Sequence, residues 1–478
     1  MLKINKKNFN YKHKNLINIE NNINNIVRKQ GALNMSEKQF EIKRGIKIHL
    51  IKNDIFKTNL ISVMLTVPIK RETVTLNALV PFLLKRGTMN LKEQGEIGKK
   101  LEEMYGASYD CGIDKIGDNQ ALKFYIETIN DNYALKPENL MKQAIDLLLE
   151  IVFNPLMSDG KFKSEFLDVE KDNLRKIIEA KKDNKDFYAF NNCIENMYGE
   201  IGFGLYKYGY SEDIDSITIE SISEYYKKLV NEGKIDIYIS GNFEDEEIES
   251  IVLENENIKK LNDREENFII NNSSTESKEI VENIKEIKEK MNITQGKLVI
   301  GLDVLLNKKD MQYAGIVYNS ILGDGASSFL FQNVREKAGL AYTAKSQFNR
   351  MKSNIFIRCG IEIKNYDKTI KIIKEQLENI KNGSFSDEDL KNAKMYIISG
   401  IKGIETEQDT EIVFYIGQEM SRIRNTIEEY IEKINNITRE DIIEIAENVQ
   451  INTIYFLTGE ETDEESEESE NLVLEDDE

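Results

Sequence analysis

Histidine is almost missing from this chain. Two occur in 478 residues, His13 and His49. Zinc hydrolases draw on His-rich ligand sets with one open coordination position, and these two cannot build a helix with paired His. Cysteine is scarce as well: Cys111, Cys193 and Cys359 stand far apart, without C-x-x-C spacing. An odd count of this kind argues against a disulfide framework and fits small buried thiols in a reducing compartment. There is no Trp, and there are only 4 Pro. No apolar run reaches the roughly 18 residues of a membrane-spanning helix. No D-x-D-x-D-G loop offers an all-carboxylate magnesium or calcium site. A nucleophile–base constellation of the kind that marks a stand-alone enzyme is also missing.

What is present describes a globular chain. Hydrophobic residues make up 40% and charged residues 31%, as in soluble domains, and the length suggests two to four of them. Abundant Lys, Asn and Ile reflect a nucleotide-biased genome. The net charge of −20 is unevenly placed, because Glu460 to Glu478 holds 12 acidic residues and no Lys or Arg. Such a run cannot bury enough apolar surface to fold. It reads as a solvating tail over 460–478, or as a docking tail for a basic partner. The opposite end, 1–37, is a basic extension. It lacks the apolar core of a signal peptide, which predicts a cytoplasmic protein. The codons of Gln30-Gly31 hold a purine-rich AAGG or AGGG suited to a ribosome-binding site ahead of Met35, so Met35 is a second candidate start.

Along the first half, Gly45 to Leu50 alternates as a half-buried strand with His49 on its polar face. Leu60 to Val67 is a second strand, closed by Pro68. An apolar helix follows, then Gln94 to Tyr105 as another, ended by Gly106. Tyr109 to Ile113 and Ala121 to Ile126 pair around a Gly-Asp-Asn turn. Pro137 opens a helix with a stripe of Leu140, Ala144, Leu147, Leu148 and Ile151. Helices over 162–181 and 187–197 follow. Thr218 is a good N-cap for the next, and Ile235 to Gly241 closes the half as a strand.

The second half repeats this plan. Glu102-Glu103-Met104-Tyr105-Gly106-Ala107-Ser108-Tyr109 parallels Arg335-Glu336-Lys337-Ala338-Gly339-Leu340-Ala341-Tyr342. Phe162, Glu165, Leu167 and Lys171 parallel Phe385, Glu388, Leu390 and Lys394. Ile237-Tyr238 parallels Ile454-Tyr455. The matches keep chain order, and a period this long indicates a duplicated domain rather than a solenoid. The division expected is a first domain over 38–243, a charged linker with some helix over 244–294, and a second domain over 295–459.

The stretch Ala78-Leu79-Val80-Pro81-Phe82-Leu83-Leu84-Lys85-Arg86-Gly87-Thr88 resembles the active-site helix of insulinase/pitrilysin-type zinc peptidases. There H-x-x-E-H precedes an apolar spacer and a basic-Gly-Thr turn. In that family two His bind zinc and the Glu activates water. Their places here are Ala78, Pro81 and Phe82, and none of the three ligates a metal or moves a proton. Pro81 would also kink the helix or end its first turn. The family's third ligand, a downstream Glu, falls at Lys176 or Ile177. Gly323-Asp324-Gly325 through Val334-Arg335-Glu336-Lys337-Ala338-Gly339-Leu340-Ala341-Tyr342 resembles the family's C-terminal signature. The Gly-Asp-Gly loop there follows a helix and lacks the P-loop Lys, so it is no phosphate cradle.

The resemblance implies an α+β fold of two homologous α/β domains. Each is a mainly antiparallel sheet backed by helices, and the two face each other across a cleft. It implies substrate-binding roles for Arg335, which would grip peptide oxygens with its fork of donors, and for Tyr342, which would hydrogen-bond a developing oxyanion. Gly323 and Gly325 would turn the chain beside the cleft. It further implies a non-catalytic subunit with no metal or cofactor of its own, partnered by a homologous zinc-bearing H-x-x-E-H subunit and a peptide substrate. The alternative is a scaffold or peptide-binding adaptor of the same fold. Neither nucleic acid nor a membrane is an expected partner. Phe56-Lys57-Thr58, Leu101 to Ala107 and Gln295-Gly296-Lys297-Leu298 resemble the inactive members of the family associated with 5-aminopentanol modification of elongation factor P. That label implies no modification chemistry legible in these residues.

Overall fold

The computed structural model describes residues 37–264, 280–306 and 311–459. The basic extension as far as residue 36, the acidic tail over 460–478 and the middle of the linker lie outside the described residues.

The first half runs β1 (Glu37–Lys43), β2 (Ile46–Lys52), β3 (Thr58–Pro68), α1 (Val74–Leu84), α2 (Gln94–Glu103), β4 (Ser108–Ile116) and β5 (Asn119–Ile129). It continues through α3 (Leu140–Phe153), α4 (Ser164–Glu179), α5 (Lys185–Tyr198), α6 (Ile219–Glu232), β6 (Lys234–Gly241) and α7 (Asp245–Glu254). The second half runs β7 (Lys285–Lys290), β8 (Gly296–Val304), α8 (Met311–Gly323), β9 (Ala341–Asn349) and β10 (Asn354–Ile361). Then come α9 (Tyr366–Lys381), α10 (Asp387–Gly403), α11 (Gln408–Ser421), α12 (Ile427–Asn436), α13 (Arg439–Glu447) and β11 (Val449–Thr458).

Sheet order is β1-β2-β6-β3-β5-β4 in the first half and β7-β11-β8-β10-β9 in the second. Setting β1 aside, the two orders superpose strand for strand. Each sheet has one parallel pair, β2 with β6 and β7 with β11, and antiparallel pairs otherwise. The repeat read from scattered matches is therefore a repeat of topology.

Local chemistry sets the helix ends. Thr218 caps α6 by accepting from the Ser221 N–H at 3.1 Å, as expected. The helix expected to open at Pro137 starts instead at Leu140. Asn139, in the left-handed region at φ 48°, accepts from the Lys142 N–H. The expected stripe of α3 is buried in full. The stretch read as linker differs more. Its helix α7 packs Ile248, Ile251 and Val252 on the first core. Lys285–Lys290 is an edge strand of the second sheet, whose polar alternation hides it.

Each half lends a helix to the other. One face of each sheet carries its own helices, and the opposite face carries a helix from the far half. α5 lies on the second sheet, where Ala189, Cys193 and Ile194 meet Val299, Phe356 and Tyr455. α11 lies on the first sheet. Gln408 donates to the Ser240 carbonyl at 2.8 Å, and Glu419 pairs with Lys47 at 2.8 Å and Lys234 at 2.9 Å. This exchange corrects the placement of His49. The alternation put it on a polar, solvated face, but it is fully buried. Its ring stacks on Tyr238 at 4.2 Å, and its nitrogens meet Glu37 at 2.5 Å and Asp236 at 3.1 Å. Burial opposes its charge, but the two carboxylates prevail and raise its pKa. Polar residues alternate there because the far half covers that face with charge partners, a buried arrangement that sequence period alone does not distinguish from solvent.

Candidate functional site

The two sheets meet at their hairpin turns. Lys352 of the β9–β10 turn pairs with Asp118 of the β4–β5 turn at 2.8 Å. From that junction run β4 and β9, the edge strands of the two sheets.

On the first half α1 carries the erased motif. Ala78 and Pro81 are buried, and Phe82 is half-buried. The helix does not end at Pro81, which lies inside it; it runs on to Leu84. The Pro81 carbonyl accepts from the Cys111 thiol of β4 at 3.6 Å, and burial pushes that thiol up to about 11. Hydrocarbon fills the space because Ala78, Leu79, Val80, Leu83 and Leu84 all join the first core. Of the two candidates for the third ligand position, Lys176 is exposed on α4 and Ile177 is half-buried. These side chains do not fit zinc: none offers an imidazole, thiolate or carboxylate, and the exposed Lys176 is a cation. Among the described residues no group of three or more His, Cys, Asp or Glu is placed to hold a metal ion.

One acidic residue here escaped the sequence reading. Glu170 of α4 is fully buried, ion-paired with Arg86 of the basic-Gly-Thr turn and bonded to Asn173 at 2.9 Å. The signal that could have found it is a Glu within an amphipathic helix at a position of the buried stripe, between Leu167 and Leu174.

On the second half a turn of π-helix, Phe331–Lys337, and a left-handed Gly339 lead into β9. Arg335 stands on that turn with 43% of its side chain exposed, 3.5 Å from Glu336 and with its guanidinium 4.7 Å from the Phe331 ring. Tyr342 opens β9 and is 64% exposed. Its hydroxyl has no hydrogen-bond partner among the described residues. The structure thus sets both side chains near the start of the second edge strand, presented to solvent, without a bond between them. Gly323 is buried where α8 ends: a Cβ there would come within 2.6 Å of the Ser346 backbone of β9. Gly325 takes φ +109°, with the Tyr396 ring against it. The glycines hold the loop close to the sheet.

A family model described as the peptidase M16 inactive domain matches residues 216–397. The chain is 31% identical over 419 residues to the probable inactive metalloprotease YmfF of Bacillus subtilis (strain 168), covering 87% of this chain and 96% of that one. It is 23% identical to the uncharacterized zinc protease YmxG of the same organism, over 75% of this chain and 81% of that one. Among solved structures, a conserved protein from Enterococcus faecalis V583 superposes with a TM-score of 0.79 at 26% identity, covering 89% of this chain and all of that one. The peptidase M16 inactive domain from Pseudomonas fluorescens superposes at 0.70 with 18% identity, over 89% and 99% of the two chains, a likeness of fold.

Proposed function

The chain belongs to the M16 peptidase family, the insulinase/pitrilysin type, as an inactive homologue, and on that premise we propose that it is the non-catalytic subunit of a two-chain zinc peptidase. Its partner is a homologous chain carrying H-x-x-E-H. In this reading the partner alone holds the metal, and this chain supplies Arg335 and Tyr342 to the shared peptide. The Arg335 guanidinium donates to a carbonyl or carboxylate of the bound peptide. The Tyr342 hydroxyl donates to the oxyanion that forms on the scissile carbonyl. Gly323 and Gly325 hold the loop that sets the spacing of the two. The relatives above carry no reference to elongation factor P, and that association stays outside the reading.

The observation that carries this reading is the contrast in exposure. Ala78 and Phe82 pack on the first core and Pro81 is buried beside them, while Tyr342 is 64% exposed and Arg335 is 43% exposed, with Glu336, its neighbour in sequence, as its ion-pair partner. A structural Arg or Tyr is usually anchored by its own fold.

The test is reconstitution. The purified chain should hold no stoichiometric zinc and cleave no peptide alone. Mixed with an H-x-x-E-H partner from the same genome, it should restore cleavage, and Arg335→Ala or Tyr342→Phe should reduce the rate about 100-fold. Full activity in both variants rejects the substrate role. A complex that forms and binds peptide without cleaving it points instead to a scaffold.

A further inference from the structure

Between the halves, next to the junction of the turns, lies a cavity of about 270 Å³. Asp114 and Lys115 of β4 form one side, Gln347 and Asn349 of β9 the other, and α5 roofs it. Its apolar walls are aromatic: Phe187 and Phe190 of α5, Phe203, and Phe356 of β10. Drug-sized pockets run about 300–1,000 Å³, so this one suits a single side chain with its backbone group.

Two lysines, Lys115 and Lys207, and one carboxylate, Asp114, line it, and Asp118 lies close by, accepting from the Phe203 N–H at 2.8 Å. Lys115 donates to the Phe203 carbonyl at 2.6 Å and the Leu205 carbonyl at 2.9 Å, which leaves one of its three N–H groups unspent. Lys207 donates to the Ile113 carbonyl at 2.6 Å and lies 3.4 Å from Asp114. Asp114 is shared with Lys123 at 2.6 Å. Lys181, behind Lys115, lies 4.0 Å from Glu195 and 4.9 Å from the centre of the Tyr206 ring. Burial first, and then the charge of Lys181, push Lys115 down to about 7. A bound anion would relieve this crowding of ammonium groups.

We propose that this cavity binds an apolar or aromatic group bearing a free carboxylate, either the C-terminal residue of a peptide or a small acid of that shape. The phenyl walls take the side chain, and Lys207 and Lys115 take the carboxylate through charge-assisted hydrogen bonds. The amides of Gln347 and Asn349 stand where the ligand's own backbone would enter. This is a property of the lone chain. It neither needs a zinc-bearing partner nor involves Arg335 and Tyr342, so it stands or falls separately from the subunit reading.

The experiment uses the full chain and three probes: a fluorescent hexapeptide ending in Leu-Phe with a free carboxylate, the same peptide amidated, and N-acetylphenylalanine as competitor. Fluorescence anisotropy should show the free acid binding about tenfold tighter than the amide, the worth of one charge-assisted contact. Lys207→Met should abolish that difference. Gln347→Trp, placed at an exposed position and so leaving the fold intact, should close the mouth and weaken both peptides. Lys364→Met, far out on the surface with its side chain 81% exposed, should change neither. Displacement by N-acetylphenylalanine assigns the cavity to small acids, and binding of the acid peptide without such displacement assigns it to peptide ends. Equal binding of acid and amide to the unaltered chain overturns the proposal. So does undiminished discrimination in a Lys207→Met or Gln347→Trp chain whose circular dichroism is unchanged.

Discussion

The two halves share a topology and put matching positions to opposite use. The repeat sets Tyr109 of β4 beside Tyr342 of β9. Tyr109 buries its hydroxyl without a hydrogen-bond partner among the described residues, and desolvation raises its pKa well above the usual value. Tyr342 projects into solvent. The alignment of Phe162 through Lys171 with Phe385 through Lys394 sets Glu170 beside Ala393. Both are buried, but one is a carboxylate clamped by Arg86 and the other a methyl. Packing volume and strand order constrain both copies alike, so these persist. In the first half the ion pair under α1 remains while the ligand positions above it have become hydrocarbon. In the second half the reactive-looking pair remains exposed.

Restoring the motif attacks this contrast most severely. Ala78→His, Pro81→Glu and Phe82→His in one chain force imidazole and carboxylate into a packed core, which should cost about 4 kcal/mol or more. The melting temperature should fall by about 10 °C, and zinc should not bind stoichiometrically, since neither Lys176 nor Ile177 offers a third ligand. An unshifted melt with one zinc bound would show that α1 still has room for a site. Imposing the second half's choice on the first comes next. Glu170→Ala leaves Arg86 without its carboxylate and should cost about 3 kcal/mol in urea unfolding. Adding Arg86→Met should return much of that, since the two act as one pair.

A third test probes the exchanged helix α11, whose two buried carboxylates are driven apart. Glu419 is opposed by burial, but Lys234 and Lys47 bring it down to about 2. Glu411 has no cation beside it among the described residues: burial lifts it to about 7, partly offset by hydrogen bonds from Ser240 at 3.0 Å and Asn53 at 3.3 Å. A folded carboxyl raised above its unfolded value near 4.5 stabilises the fold while protonated. That contribution is full below the unfolded value and is lost as pH rises through about 7. Glu411→Gln should therefore leave melts at pH 5 nearly unchanged and stabilise the chain by about 2 kcal/mol at pH 8. Equal shifts at both pH values would mean that the carboxyl titrates normally. The smallest effect belongs to the exposed pair. Arg335→Ala and Tyr342→Phe should each alter stability by no more than about 0.5 kcal/mol, and a larger loss in a thermal melt would mark them as structural.

Much of this was legible in one dimension. The motif could be compared because its ligands are specific residue types at fixed spacing, and Ala78, Pro81 and Phe82 are not among those types. The duplication showed because helix caps and strand ends leave local marks, such as Thr218 and the closing strands. β7 was missed because Lys285–Lys290 is polar, and nothing local tells an edge strand from linker. His49 was misplaced because a period of two reports which residues share a face, never what covers it. Glu170 was passed over because a Glu in a helix is ordinarily solvated.

The sequence alone determined that the positions matching the family's zinc motif hold Ala78, Pro81 and Phe82, and that the chain is built twice from one plan, since both follow from residue identity and order. The tertiary structure decided which polar residues are inside. Crossing α5 and α11 onto the opposite sheets buries the faces that each half, taken singly, would leave wet. Long-range docking of that kind gathers lysines beside a cleft in an acidic protein, because partners remote in sequence meet only once the halves close.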